Sequence, residues 1–572
     1  MRSTGCAGMA IGVLALFAAA PLQAETYYVA PTPTGNDGND GSEGAPFASL
    51  DRAQEAATAG DTVLIRGGEY VFSGTGSDIG VLFDTSGEEG APINYWAYPG
   101  ERPIFDFFDL TPQARIRGFS VRASWLHFRG LELRGVQQTL VNENESWCIR
   151  VENGASNNIF ELLDLHHNEG PGLFIQDGGN NLVLNVDSHH NYDPDRGGEN
   201  SDGFGCHSND AGNVFRGCRA WYNSDDGYDF INAPGACTLE YSWAFNNGYI
   251  PDTDDAVGNG SGIKAGGFGS PATNVPNPVP RHLIRFNVSF NNLATGFYSN
   301  HHPGGLDWFH NTAFNNPRNF DMLADEGAAD HYLRNNLAAG SGTALAQATQ
   351  DEIDDEFNSW SLPVDVSDAD FLSTAADEAT MPRQADGSLP NVSFLKLVEG
   401  SDLIDAGTDV GLYFVGDAPD LGAFEFGAMA PGAGGVGGAG GSGAGGAGVG
   451  GAGVGGAGVG GGSGGTAGTS GLGGSAGSSS GAGGASTGTT AAGVGGAASG
   501  AVSAAVGSGA GGAGGGAVGS GGTGAGNGNG TEDAGCACRA AGARTSGFPS
   551  VFALLVAAAA CRRRRARRAV SE

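Results

Sequence analysis

Lysine is almost missing from this chain of 572 residues: Lys264 and Lys396 are the only two. Basic side chains as a group are scarce, 28 Lys and Arg against 62 Asp and Glu, for a formal net charge of −34. So acidic a surface excludes nucleic acid and anionic membrane as partners, since both are polyanions. Charge of either sign vanishes between residues 431 and 530, a block with 49 of the 104 glycines and no Asp, Glu, Lys, Arg or His. That composition cannot bury a core, and residues 428–534 read as a disordered Gly/Ala/Ser-rich linker. Long apolar runs are lacking as well: Val551–Ala560 falls short of the ~20 residues that a stable membrane span needs.

The two ends read as addresses. Arg2, an apolar run from Met9 to Ala20 and a small residue before Glu25 form a secretory signal peptide, residues 1–24, cut after Ala24. Export permits disulfides, and Cys148, Cys206, Cys218 and Cys237 in the mature body allow three connectivities that sequence cannot separate. At the other end, residues 535–572, Cys536 and Cys538 precede the short apolar run and the cluster Arg562–Arg565, Arg567 and Arg568. This hydrophobic tail resembles the MYXO-CTERM sorting tails of myxobacterial surface proteins. The resemblance implies membrane retention, processing near the cysteines, and display or release at the cell surface; a plain tail anchor is the alternative.

Between the ends lies a body, residues 25–427, with 59 acidic and 19 basic side chains. Here one pattern recurs: Leu165-His166-His167-Asn168, Ser188-His189-His190-Asn191, Ala220-Trp221-Tyr222-Asn223, Trp243-Ala244-Phe245-Asn246, Val288-Ser289-Phe290-Asn291 and Thr312-Ala313-Phe314-Asn315. The asparagines are spaced by 23, 32, 23, 45 and 24 residues, a period of 23 with two insertions. Alternating stretches such as Leu182–Val186 and Leu283–Val288 precede them and read as strands. A period near 23 with short strands predicts an all-β fold, a right-handed parallel β-helix whose stacked asparagines form a ladder. Leucine-rich repeats are excluded because no helix follows the strands, and a propeller because its Trp-Asp signals are missing. Phe47–Ala59 has helical spacing and is expected to be an N-terminal capping helix before the first strand, Asp61–Gly68.

Chemistry emerges from the register. Gly172, Gly203, Gly227, Gly262 and Gly296 each open a strand. Aligned on them, Asp202 and Asp226 share one position, while Asp229 and Lys264 share another two places after the glycine. Positions two apart share a face of a strand, and equivalent positions stack, so Asp202, Asp226, Asp229 and Lys264 should crowd one outward patch with Asp225 beside it. The insertions belong to the same coils and are expected to wall the patch. Carboxylates so close repel unless a cation lies between them, and an all-oxygen set selects Ca²⁺ over Zn²⁺. His166 with His189, and His167 with His190, also fall in register, either as stacked structural histidines of a coil turn or as metal ligands, the structural role being the commoner.

The runs Ser201-Asp202-Gly203-Phe204, Asn223-Ser224-Asp225-Asp226-Gly227-Tyr228-Asp229 and Gly258-Asn259-Gly260-Ser261-Gly262-Ile263-Lys264 resemble the pectate lyases of polysaccharide lyase family 9. So do Thr295-Gly296-Phe297 with Asn300, Pro382–Gly387, Leu403–Gly407 and Ala418–Ala423. Carried over position by position, the resemblance places calcium ligands on Asp202, Asp225, Asp226 and Asp229 and the catalytic base on Lys264. Ser261-Gly262-Ile263 stands where the family has Asn-Gly-Phe, which bears on substrate preference. Asn259, Asn300 and His301 lie near the expected cleft as sugar-contact candidates.

The implied reaction is β-elimination on 4-linked polygalacturonate by a monomeric, exported enzyme. A cation on the uronate carboxylate acidifies the hydrogen on C5, Lys264 removes it, and the C4 oxygen departs. Calcium would also bridge an acidic enzyme to its acidic polysaccharide. Two other classes stay open: an alginate lyase or C5-epimerase on the same fold, and a non-catalytic surface adhesin in which calcium is only structural. Glycoside hydrolysis is disfavoured, because its paired acids need neither lysine nor calcium.

Overall fold

The computed structural model describes residues 24–75, 79–111, 115–138, 145–269, 272–323, 329–348 and 352–428. The signal peptide up to residue 23, nearly all of the glycine-rich linker and the whole C-terminal tail lie outside the described residues.

The chain winds as a right-handed parallel β-helix. Among the described residues three parallel sheets run its length, one of twelve strands and two of ten, and after the first pair of the twelve-stranded sheet, Thr26–Val29 with Thr62–Ile65, sheet neighbours are three strands apart in sequence. Each coil therefore gives one strand to each sheet. Sheet 1 runs from Thr26–Val29 to Ile353–Asp354, sheet 2 from Ile79–Phe83 to Thr343–Ala346, and sheet 3 from Gly68–Thr75 to Leu337–Ala339. Apolar residues stack inward coil upon coil. Leu173, Phe204, Tyr228, Ile263, Phe297 and Phe320 form one such column, with the rings of Phe204 and Tyr228 5.0 Å apart and those of Phe297 and Phe320 4.7 Å apart.

Neither of the stretches Leu182–Val186 and Leu283–Val288 is one continuous strand: Leu182–Val186 is a strand only to Leu184, and Leu283–Val288 is split between two strands. Asn185 and Phe286, both at φ 55°, turn the chain from sheet 1 to sheet 3. The N-terminal order also differs from the sequence expectation. Thr26–Val29 is the first strand, before the helix, and pairs in parallel with Thr62–Ile65. The helix is shorter than its pattern, Leu50–Ala56; Ser49 caps it by accepting the Arg52 N–H, and Leu50 and Ala53 are buried.

Asparagines stitch the coils at the turn from sheet 3 to sheet 2. The ladder runs Asn168, Asn191, Asn223, Asn247, Asn292 and Asn316: each side-chain oxygen after the first accepts from the asparagine one coil earlier, at 2.8–3.2 Å. Asn246, Asn291 and Asn315, which the sequence pattern selects, stand one residue earlier and are not rungs. They occupy the left-handed position shared with His167, His190 and Tyr222, at φ 50–57°. Asparagine suits both positions, tolerating the left-handed conformation and bonding along the stack, so an Asn-Asn pair hides which is which. Shorter ladders join Asn158, Asn181 and Asn213, and Asn287, Asn311, Asn336 and Asn358.

After the last coil, the segment to residue 428 contains almost no regular structure and packs on the outer face of sheet 3. Phe394, Leu395, Leu397, Leu403 and Leu421 join Phe245, Phe290, Phe314 and Leu337 there. Arg383 fastens this segment to Asp187 through contacts of 2.6 and 3.2 Å.

Candidate active site

The glycine column of sheet 2 sets the geometry. A Cβ on Gly227 would lie 2.5 Å from the Gly262 carbonyl and 2.8 Å from the Asn247 amide, so only glycine lets the turn close onto the ladder. The residue before it is thereby presented on the outer side of the coil. Gly203 and Gly227 donate to the carbonyls of Asp226 and Ser261, and Asp229 pairs directly with Lys264.

Asp202, Asp226 and Asp229 each offer a carboxylate oxygen, and the three atoms lie within 4.8 Å of one another. All three residues are buried, Asp226 completely. The Lys264 ammonium sits 3.1 Å from Asp226 Oδ2 and 2.9 Å from Asp229 Oδ2. Backbone donors take the other oxygens: Ser261 N–H to Asp226 Oδ1 at 2.7 Å, Ile231 N–H to Asp229 Oδ1 at 2.7 Å, and Asp226 N–H to Asp202 Oδ1 at 3.1 Å. Asp225 stands apart from the trio. Its two oxygens accept the backbone N–H groups of Asn259 and Asn200, each at 2.8 Å.

Those donors belong to the two insertions, which meet over the cluster. Asn259 Nδ2 donates to Glu199 Oε2 at 2.9 Å, and Gly258 N–H to the Gly197 carbonyl at 3.0 Å. Asn259 is thus part of the wall. Asn300 and His301 lie outside the two site columns, in left-handed conformations, and the Asn300 amide is spent on the Gly266 carbonyl at 2.7 Å. Beyond Lys264 the same columns continue as Tyr298 and Asp321, and as Thr295 and Arg318; Arg318 pairs with Asp321 at 2.9 Å.

Electrostatics follow from this crowding. Burial, then the charges of Asp225, Asp229 and Asp226, push the Asp202 carboxyl well above the usual range. Burial and Asp226 push Asp225 up to about 8. Asp226 is raised by burial, with Lys264 opposing, and Glu199 by burial and then Asp226. For Lys264, burial works against the charge, yet Asp229, Asp226, Asp225 and Asp202 outweigh it and hold the ammonium well above an ordinary lysine. The chemistry of the donor set fits a hard divalent cation: buried carboxylate oxygens, no sulfur or imidazole, and one positive group already drawn among them.

Glu199 escapes sequence reasoning because it lies in an insertion whose length signals a wall but whose register signals nothing. Of the stacked histidines, His166 joins Glu132 and Asp164 in a second cluster, but the Arg102 guanidinium contacts both carboxylates and supplies the cation.

The profile of a family described as Pel9A-like, right handed beta helix region, matches residues 27–336. A pectate lyase L of Dickeya dadantii is 37% identical over 407 residues, covering 70% of this chain and 90% of its own length. A pectate lyase PEL9 of Emericella nidulans is 32% identical over 425 residues, covering 70% and 99%. Among solved structures, the pectate lyase Pel9A superposes with a TM-score of 0.60 at 36% identity, over 70% of this chain and 96% of that one. A structure titled rhamnogalacturonan lyase gives 0.61 at 36% identity, over 66% and 97%. With the profile spanning more than half of the sequence, and relatives above 30% identity matched along most of their length, this chain belongs to the Pel9A-like right-handed β-helix family.

Proposed function

We propose that the protein is a calcium-dependent pectate lyase that cleaves 4-linked polygalacturonate by β-elimination after export from the cell. Family membership makes it a polysaccharide lyase; the cation, the bond cleaved and the residue roles are the proposal. One observation carries it: a lone lysine amine rests within 3.1 Å of two buried carboxylates in a cluster that otherwise repels itself.

Asp202, Asp226 and Asp229 would hold the ion, with Asp225 completing the acidic set from the wall. When bound, calcium supplies positive charge that neutralises the uronate carboxylate and acidifies the hydrogen on C5. Lys264 Nζ takes that proton, so it must react as the free amine and be released from the pairing that now charges it. The C5–H electron pair becomes the C4–C5 double bond, the C4–O bond breaks, and the departing oxygen takes a proton from water. The inserted loops screen Asp225 and Asp226 from solvent, which strengthens each charge interaction at the floor of the site. Arg318, half-exposed and steadied by Asp321, is placed to meet a carboxylate farther along an extended uronan.

A second substrate, rhamnogalacturonan, is raised by the solved relative of that title. The test is ultraviolet absorbance of the 4,5-unsaturated product on each polymer, with and without a calcium chelator. Chelator-sensitive absorbance on polygalacturonate is expected. Activity on rhamnogalacturonan alone would transfer the mechanism to that substrate, inversion at C5 without cleavage would make the protein an epimerase, and no reaction on any uronan would leave a structural calcium binder.

A further inference from the structure

Four buried cysteines sit in the body, and the coils sort them. Cys206 ends the strand Phe204–Cys206 of sheet 2, and Cys237 opens the strand Cys237–Glu240 of sheet 1. Both point into the core, at 0% and 1% exposure, and their sulfurs touch at 2.6 Å. The other two are placed differently: Cys218 Sγ lies 3.4 Å from the Val183 carbonyl and 3.5 Å from that of Arg216, and the Cys148 thiol is hydrogen-bonded with the Asn168 side chain. Cys206 and Cys237, 31 residues apart along the chain, thus meet inside the apolar core.

From this juxtaposition we infer that Cys206 and Cys237 form a disulfide in the exported protein, while Cys148 and Cys218 remain thiols. The oxidant is a disulfide of the export compartment, carried by a dithiol–disulfide exchange protein or a small-molecule disulfide. Its S–S bond breaks, the Cys206–Cys237 bond forms, and two electrons and two protons pass to it, leaving two thiols on the oxidant. Exchange requires a thiolate to reach a sulfur, so the bond forms while the coils are still closing and is shielded from reductant afterwards.

Its position gives it a task. Gly205, beside Cys206, pairs with Asp229 of the next coil, so Cys206 shares its coil with Asp202, whereas Cys237 follows the turn and strand that carry Asp225, Asp226 and Asp229. The cross-link fastens, from inside, the two coils that bring the cation-binding carboxylates together. Cross-linking also removes conformational freedom from the unfolded chain, which favours the wound state.

The test uses the full-length exported protein, unfolded in denaturant with an alkylating reagent and no reductant, then digested and weighed by mass spectrometry. A linked Cys206–Cys237 peptide pair is expected, lighter by two hydrogens than the separate peptides, with Cys148 and Cys218 alkylated. Alkylation of Cys206 and Cys237, or a link from either to Cys148 or Cys218, would overturn the inference. A Cys206→Ser variant provides an independent readout: Cys237 should become alkylatable only in that variant. Cys237 already reactive in the parent protein would again overturn it. Neither measurement depends on which polysaccharide, if any, the protein cleaves.

Discussion

Sheets 2 and 3 climb the same coils with the same rise, yet they handle acidic residues in opposite ways. On sheet 3 every stacked carboxylate near the histidines has a cation within reach. Arg102 reaches both Glu132 and Asp164, the latter at 3.0 Å, and Asp187 lies between Arg219 and Arg383 at 2.7 and 2.6 Å. On sheet 2 three aspartates converge on one lysine. The outcome differs in sign. Burial alone would raise Asp187, but Arg383 and Arg219 hold it far below the usual carboxylate range, whereas Asp202 is pushed well above it. A repeat scaffold offers every coil the same position, so satisfied pairs mark where the fold is secured and an unsatisfied column marks where a partner is awaited.

Substitutions at the two ends of this contrast should separate cleanly. Lys264→Ala is expected to reduce turnover roughly a thousandfold, the scale of a lost general base, while calorimetry still detects calcium binding. Retained turnover would remove lysine from the mechanism. On the other sheet, Asp187→Ala leaves two guanidinium groups with backbone carbonyls but without their carboxylate, and should cost about 3 kcal/mol of stability in denaturant titration. Its calcium affinity should not change, and a change would mean that the sheets are coupled.

pH sharpens the same contrast. Asp225 binds its proton up to about pH 8 when folded but only to about 4 when unfolded, so the folded state holds the extra proton in between. Stability of the metal-free protein should therefore fall as pH rises from about 4 to about 8, and saturating calcium should flatten that slope in thermal melts. Asp187 acts in reverse: its depressed value contributes stability above about pH 4 that is lost on acidification. Asp202→Asn removes one repelling charge; it should raise the melting temperature without calcium and weaken calcium binding. If both fell together, repulsion would not be the dominant force in the cluster. The smallest effect is expected for Arg318→Ala, a few-fold rise in KM on long polygalacturonate with kcat nearly kept.

Much of this contrast is legible in the sequence because a coil repeats. Glycines that cannot carry a Cβ fix the register, and the register alone stacks Asp202 on Asp226 and Asp229 on Lys264. Three kinds of information escape it. Where one residue type suits two adjacent conformations, as at Asn246 and Asn247, periodicity cannot choose between them. Where the chain leaves the repeat, as at Glu199 and Asn200, nothing in the spacing reports which atoms return to touch Asp225. The partners of the cysteines are hidden for a third reason: inward-facing side chains on different sheets meet across the core, a distance that a one-dimensional count does not encode.

The amide ladder also behaves as an indexing device. Insertions enter the chain between rungs, and the next asparagine still lands on the last, so coils can be lengthened, shortened or exchanged at a turn without disturbing their neighbours. Grafting the 192–200 and 248–260 excursions from one member of such a lineage to another would then change which sugars are admitted while the floor beneath keeps its registration.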